Sequence, residues 1–331
     1  MDARRGLHAA FSLTCLAGFA ALALAGCGDG TAAGGPAGAP IRVEVAGEPP
    51  ALTPWPASVT ELRWAVTPYD DRRILEQTYR PLIDYLSRRI GIPIRFELTA
   101  DYASTTRGIV DGTFDAALGT PLTYVEAIDR DPGIRLLAAQ VAEGTTSYLG
   151  YVFTRAEDPA RSLPELAGRS FCYVDPHSAS GYIYPRAMLR QAGFDPETFF
   201  GHTEFGGNHF ECLRRVLARE VDAACISSGA VSTARREGLP IQDIKVLAKT
   251  PRIPFDAWVA SSRLPDAAVE RLRQELLALS TRSPDGREVL QGPIRLNAFM
   301  AVDDAHYDSV RAARALSGPT PPVPTAAAAV R

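Results

Sequence analysis

The sequence predicts an α/β protein folded as two similarly built lobes, and three observations carry that prediction. From Leu62 onward, strand-length apolar runs alternate with helical patterns, the order that builds parallel βαβ units into an open sheet. The pattern then repeats: Phe114-Asp-Ala-Ala117 after one helix is matched by Val221-Asp-Ala-Ala224 after another. Each is followed by small polar residues and then by a strand holding Leu-Ala, at Leu137-Ala138 and Leu247-Ala248. Finally, a chain of 331 residues exceeds the usual reach of one hydrophobic core.

Leu62 to Val66 reads as a buried strand that stops at Thr67-Pro68-Tyr69-Asp70. A helical pattern through Ile74, Leu75, Leu82, Ile83, Leu86 and Ile90 ends at Gly91, with Pro81 kinking or restarting it. Ile94, Phe96 and Leu98 alternate as the next strand, Asp101 caps a helix ending near Gly112, and Phe114 to Leu118 forms a short apolar strand. Ligands in open α/β sheets bind beyond the carboxyl ends of the strands, which puts Thr67–Asp70 and Gly119–Tyr124 on one wall of a cleft. Ser147 to Thr154 reads as an extended crossover to a second lobe, and Lys249 to Asp256 as the return. Between them, Ser162-Leu-Pro-Glu165 matches a capping box, and the strand Phe171 to Val174 delivers the chain to Asp175-Pro-His-Ser-Ala-Ser-Gly-Tyr182. There Ser178, Ser180 and Gly181 at a helix start offer hydroxyls and N–H groups to an anion, with Pro185 tolerated in the first turn. An ordinary N-cap is the plain alternative. Helices from about Pro265 to Ser280 and Asp304 to Leu316 are expected to pack back on the first lobe.

The organisation that follows is a signal peptide at 1–26, a tether at 27–60, one lobe from 61–152 and 255–318, a second from 153–254, and a disordered tail at 319–331. Arg4 and Arg5 precede an apolar run from Ala9 to Leu24, and Leu24-Ala-Gly-Cys27 closes it. That ending resembles the lipobox of bacterial lipoproteins, which implies cleavage before Cys27, lipidation of Cys27, and a membrane-anchored protein in the periplasm or on the cell-envelope exterior. Of the remaining cysteines, Cys212 and Cys225 are near enough in sequence for a disulfide, with buried free thiols as the alternative. A net charge of −3 and scattered arginines, with lysine only at 245 and 249, give no nucleic-acid surface.

Taken together, Thr67-Pro-Tyr69, Gly119-Thr-Pro-Leu-Thr-Tyr124, Asp175 to Tyr182, Gly207-Asn-His209 and Ile253-Pro-Phe-Asp256 resemble the phosphate/phosphite/phosphonate-binding proteins of ABC importers. The resemblance spans about Leu62 to Val302. It implies a two-lobed periplasmic-binding-protein fold of type II, no cofactor, no metal, a monomer, and delivery of a small phosphorus oxyanion to an ABC permease driven by a cytoplasmic ATPase. The family's Ser-Thr-Ser-Gly anion turn falls on Ser178, Ala179, Ser180 and Gly181, its cleft histidine on His209, and its Ile-Pro-x-Asp aspartate on Asp256. Ala179 stands where relatives carry a threonine hydroxyl. Ile226-Ser-Ser-Gly229 lacks the carboxylate with which aminoalkylphosphonate binders hold an amine, which favours a smaller or neutral-tailed anion.

A tetrahedral oxyanion in a closed cleft needs many donors, because each buried unpaired acceptor costs about 1–3 kcal/mol. The hydroxyls of Ser178, Ser180 and Thr120, the amides of Ala179 to Gly181 and the His209 imidazole are the expected donors. Tyr69 and Tyr124 join the ligand-binding set at the cleft edge, against simple packing. Asp256 would accept from a protonated ligand oxygen or orient His209, and so select a protonated, singly charged form. Three other readings use overlapping residues: a serine hydrolase built on Ser180, His209 and Asp256, which lacks a Gly-x-Ser-x-Gly elbow; a metal site from His202, Glu204 and His209; and a receptor feeding a sensor kinase.

Overall fold

A computed structural model describes residues 51–319. Two sheets organise them. In the first, the strands β1 (Leu62–Val66), β2 (Ile94–Leu98) and β3 (Ala116–Gly119) run parallel in the order β2-β1-β3. Beyond β3 the sheet continues antiparallel through β12 (Ala257–Ala260), β4 (Arg135–Ala142) and β13 (Leu296–Met300). The second sheet has the order β10-β6-β9-β7-β8. In it β7 (Ser170–Tyr173) runs parallel to β8 (His202–Phe205) and β9 (Ala223–Ser227), while β6 (Gly150–Arg155) and β10 (Ile244–Lys249) lie antiparallel. The chain passes between the sheets twice, and the two passages pair as β5 (Ser147–Tyr148) and β11 (Ile253–Pro254), with Tyr148 opposite Ile253.

Local chemistry explains the main elements. Helix α1 (Arg72–Ile90) is a single helix with Pro81 inside it; that residue lies on the exposed face, where water satisfies the carbonyl that loses its donor. Gly91 ends the helix in the left-handed region, its N–H donating to the Ser87 carbonyl. Asp101 caps α2 (Tyr102–Asp111), its Oδ1 accepting from Ser104 N at 2.6 Å. The repeat has a physical basis: Asp115 accepts from the Arg63 N–H in β1, and Asp222 accepts from the Ser170 N–H in β7, so each aspartate fastens a parallel strand of its sheet. Trp64, Tyr79 and Trp258 meet in the first core, with the indole centroids 5.5 Å apart.

The structure corrects two expectations. Strand β3 begins at Ala116, because Phe114 belongs to the turn that donates back to the Gly108 carbonyl. The last helix, α9 (Asp308–Ser317), packs chiefly against α4 (Tyr184–Gln191) beside the second sheet, and also touches α3 (Pro121–Arg130). Its C-terminal Ser317 carbonyl accepts from Arg186 Nε, and Tyr184 donates to Ser309. For the thiols, the structure shows the second of the two readings left open. Cys212 on α5 (His209–Leu217) lies 2.9 Å from Cys172 in β7, while the Cys225 thiol donates to the Ser180 carbonyl; all three are free and buried. The signal peptide and Cys27 lie outside the described residues, as does most of the tail.

Candidate functional site

The carboxyl ends of β1, β3, β7 and β9 open onto one cavity, where the loops Thr67–Asp70 and Asp175–Ser178 and the starts of α3, α5 and α6 (Ser228–Arg236) converge. Its volume, about 50 Å³, is several times the ~10–15 Å³ that holds one water. The two sheets grip each other around it. His209 N donates to the Tyr69 carbonyl at 3.0 Å, and Arg214 pairs with Asp71 through both terminal nitrogens. His177 meets Glu126 at 2.7 Å, and Arg236 meets Glu143 at 2.6 Å.

Six residues expected at the site line the cavity: Tyr69, Thr120, Ser178, Ala179, His209 and Asp256. Thr120 is the N-cap of α3, whose first helical residue is Pro121. His209 opens α5 behind its Asn208 cap, and its Nδ1 accepts from the Ser227 N–H at 3.3 Å. A backbone amide can only donate, so the ring proton sits on Nε2. Burial pushes the His209 pKa down to about 3, which keeps the ring neutral at physiological pH with one N–H to give. Asp256 is buried, its Oδ2 accepting from Gln140 Nε2 at 3.0 Å, and burial lifts its pKa to about 7. Tyr69 and Tyr79 share a hydrogen bond of 2.5 Å between their hydroxyls. Among the described residues that line the cavity, none is Lys or Arg.

Three expected residues stand elsewhere. Tyr124 packs against Tyr307 and donates its hydroxyl to Asp304 at 2.8 Å, because α3 turns that face toward the chain's C-terminal segment. Ser180 and Gly181 lie behind the lining, because the turn there is wider than an ordinary first helical turn. Residues Ala179–Ile183 form a π-turn, with Ile183 N bonded to the Ser178 carbonyl at 3.1 Å. The Gly181 N–H is taken by Ser178 Oγ at 3.0 Å, so this amide is a cap partner, and Ser180 Oγ is buried with no hydrogen-bond partner. The Ala179 and Ser180 N–H groups, ahead of the first intrahelical bond, remain the donors of the turn.

The rival constellations do not assemble. Ser180 has no bond to His209, whose orienting partner is the Ser227 amide, and Asp256 is held by Gln140. His202 is exposed on β8 and Glu204 is paired with Arg215, both away from the buried His209.

Among the cavity residues that the sequence does not announce are Tyr102, Gln140 and Tyr148, while Asp70 was expected on the cleft wall only as the end of its loop. Gln140 carried a signal, as the one polar residue inside the apolar run of β4. Tyr102 reads as an ordinary first-turn residue, yet it is fully buried and its hydroxyl has no partner. Tyr148 stacks on Phe255 across the paired crossovers, a contact made only by the fold.

Two α/β sheets joined by a paired double crossover and closed over a donor-lined cavity define a two-lobed solute-binding protein. The model of the family described as "ABC transporter, phosphonate, periplasmic substrate-binding protein" matches residues 64–307, and the chain belongs to that family. It is 34% identical over 265 residues to the phosphate-import protein PhnD of Mycolicibacterium smegmatis, covering 75% of this chain and 83% of that one. Among solved structures, a binding component of an ABC phosphonate transporter from Pseudomonas aeruginosa superposes with a TM-score of 0.72 at 22% identity, covering 78% of this chain and 86% of that one. PhnD1 of Prochlorococcus marinus in complex with methylphosphonate gives a TM-score of 0.70 at 16% identity, covering 77% and 97%. Both likenesses concern the fold.

Proposed function

We propose that the cavity captures a small phosphorus oxyanion, phosphate, phosphite or a short phosphonate, and that the protein delivers it unchanged to a membrane permease. The observation that carries this reading is the lining: a neutral imidazole, hydroxyls and amides, with no cationic side chain, around a space of about 50 Å³. Such a site binds an anion by hydrogen bonds fixed in advance. It pays little reorganisation, but it offers little to offset a second negative charge. Asp256 adds selectivity, because an anion entering beside it must share a proton with it, so the bound pair carries one proton between a ligand oxygen and the carboxylate.

The ligand-binding set supported by the cavity is Tyr69, Thr120, Ser178, Ala179, His209 and Asp256, with Tyr102 and Tyr148 added. The lobes close over the ligand about the β5/β11 passages, and lipidation at Cys27 tethers a monomer to the membrane. The name of the Mycolicibacterium smegmatis relative supports phosphate as the first anion to test. Calorimetric titration with phosphate, phosphite, methylphosphonate and 2-aminoethylphosphonate decides the matter. Binding of one or more of the first three without turnover is expected, and no binding to any of the four would refute the ligand class.

A further inference from the structure

Asp70 is the second carboxyl of the cavity. It stands at the end of the loop that follows β1, with its residue surface 4% exposed, and its Oδ1 is buried without a hydrogen-bond partner among the described residues. A buried carboxyl left unpaired is costly, and no structural bond of that oxygen repays the cost. The charged and titratable groups around it are few. Asp71 follows it in the chain, Tyr69 precedes it, Tyr79 faces it from α1 and Tyr102 from α2. Among the described residues, the cation nearest it, Arg214 on α5, is already engaged by Asp71 through both terminal nitrogens. Burial and the Asp71 carboxylate hold Asp70 well above the usual carboxylate range, with the Arg214 charge and the Asp71 backbone N–H offsetting only part of this. Asp256 differs, because the Gln140 amide donates to it.

We propose that Asp70 is a further ligand-binding and specificity-determining residue, whose neutral carboxyl donates a hydrogen bond from the cavity wall to an unprotonated oxygen of the bound oxyanion. This rests on the oxyanion reading of the same cavity. The two carboxyls then divide the work: Asp256 accepts from the protonated oxygen, and Asp70 gives to a bare one. Two carboxyls in environments this different can hold opposite protonation states at one pH. A site without Lys or Arg thereby gains a strong donor that adds no charge to attract competing dianions. An ionised Asp70 would instead repel the anion, so the wild-type protein must take up a proton there when it binds at alkaline pH.

The test titrates inorganic phosphate, phosphite, methylphosphonate and 2-aminoethylphosphonate into the wild-type protein and into Asp70→Asn, Asp70→Ala and Asp70→Ser at pH 6, 7.5 and 9. Asparagine keeps a donor, so Asp70→Asn should bind within about fivefold of wild type at pH 6. The ratio of wild-type to Asp70→Asn Kd should then rise as the pH passes the point where Asp70 ionises in the free protein, and should nowhere fall between pH 6 and 9; taking a ratio cancels the ligand's own ionisation. Asp70→Ala and Asp70→Ser should lose tenfold or more at pH 6 and 7.5. Without ligand, Asp70→Asn should melt at or above the wild-type temperature, whereas a merely structural carboxyl would leave it less stable. Retention of full affinity in the alanine and serine variants would overturn the proposal. So would an asparagine variant as damaged as alanine, or tight 2-aminoethylphosphonate binding lost in Asp70→Asn, which would make Asp70 a counter-ion for an ammonium. A wild-type protein that binds none of the anions would instead fail the oxyanion reading itself.

Discussion

Replacing Asp256 by Asn tests how the cavity reads the protonation of its ligand. The asparagine carbonyl can keep accepting from Gln140 Nε2, now 3.0 Å from Oδ2, so the wall should stay in place. What changes is the group turned to the ligand, from an acceptor to an N–H donor. A hydrogen bond to a charged group contributes about 1.5–3 kcal/mol, so the variant should bind phosphate about ten- to a hundredfold more weakly at neutral pH. Sulfate, which has no proton to share at that pH, should bind the variant better than the wild-type protein. The ionisation of Asp256 also bears on closure. A carboxyl whose pKa is raised to about 7 from an ordinary 3.8 costs the closed form up to about 4 kcal/mol once ionised, at 1.36 kcal/mol per unit. A raised acid pKa works against the closed form as pH rises from about 4 to about 7 and is constant above that, so the variant should close without ligand more readily at pH 8 than wild type, and no more readily at pH 4. Calorimetry with both anions and small-angle scattering at the two pH values measure these effects. Phosphate affinity within threefold of wild type, or equal rejection of sulfate, would refute the reasoning.

Other predictions follow from single contacts. A side chain at Gly181 would place its Cβ 2.4 Å from Val174 Cγ2; Gly181→Val should therefore cost about 1–3 kcal/mol of stability and weaken binding by displacing the Ser178–Ala179 turn. Ser178→Ala removes a cap worth about 0.5–2 kcal/mol, and thermal melts with paired titrations compare the two; wild-type affinity in Gly181→Val would show that the turn does not position donors. Tyr102→Phe deletes a buried hydroxyl without a partner among the described residues, so stability should hold or rise while oxyanion affinity falls about ten- to a hundredfold, the value of one hydrogen bond to a charged group. His177→Gln should weaken binding more at pH 6 than at pH 9. Burial lowers the His177 pKa, but the Glu126 hydrogen bond and charge together with the Asp175 charge, against Arg130, leave it raised in the closed form. Its stabilisation of closure is thus complete below the ordinary pKa of about 6.5 and lost as pH climbs through the closed-form value; a pH-independent ratio of dissociation constants would count against it.

Much of the site was legible because it depends on local chemistry. Ser178, Thr120 and His209 stand at or beside helix starts that capping residues announce, and the strand ends that carry them follow from the alternation of β and α segments. The errors arose where local rules allow more than one outcome. The small residues from Ser178 to Gly181 are compatible with an α or a π first turn, and the wider turn moved Ser180 and Gly181 off the lining. Tyr124 sits one helical turn past Thr120, but the direction of that face was set by Tyr307 and Asp304 about 180 residues away.

By itself, the sequence determined the alternation that makes two α/β lobes, the strands that end at the cleft, the capped helix starts around it, and the places of His209 and Asp256, since periodicity, capping and motif order are properties of short segments. Only the tertiary structure decided which groups face one another across the cavity: that Ser227 fixes the His209 tautomer, that Gln140 holds Asp256, and that Tyr102 and Tyr148 join the wall. Partner identity and desolvation depend on residues far apart in the chain, and both set the protonation states on which the proposed selectivity rests.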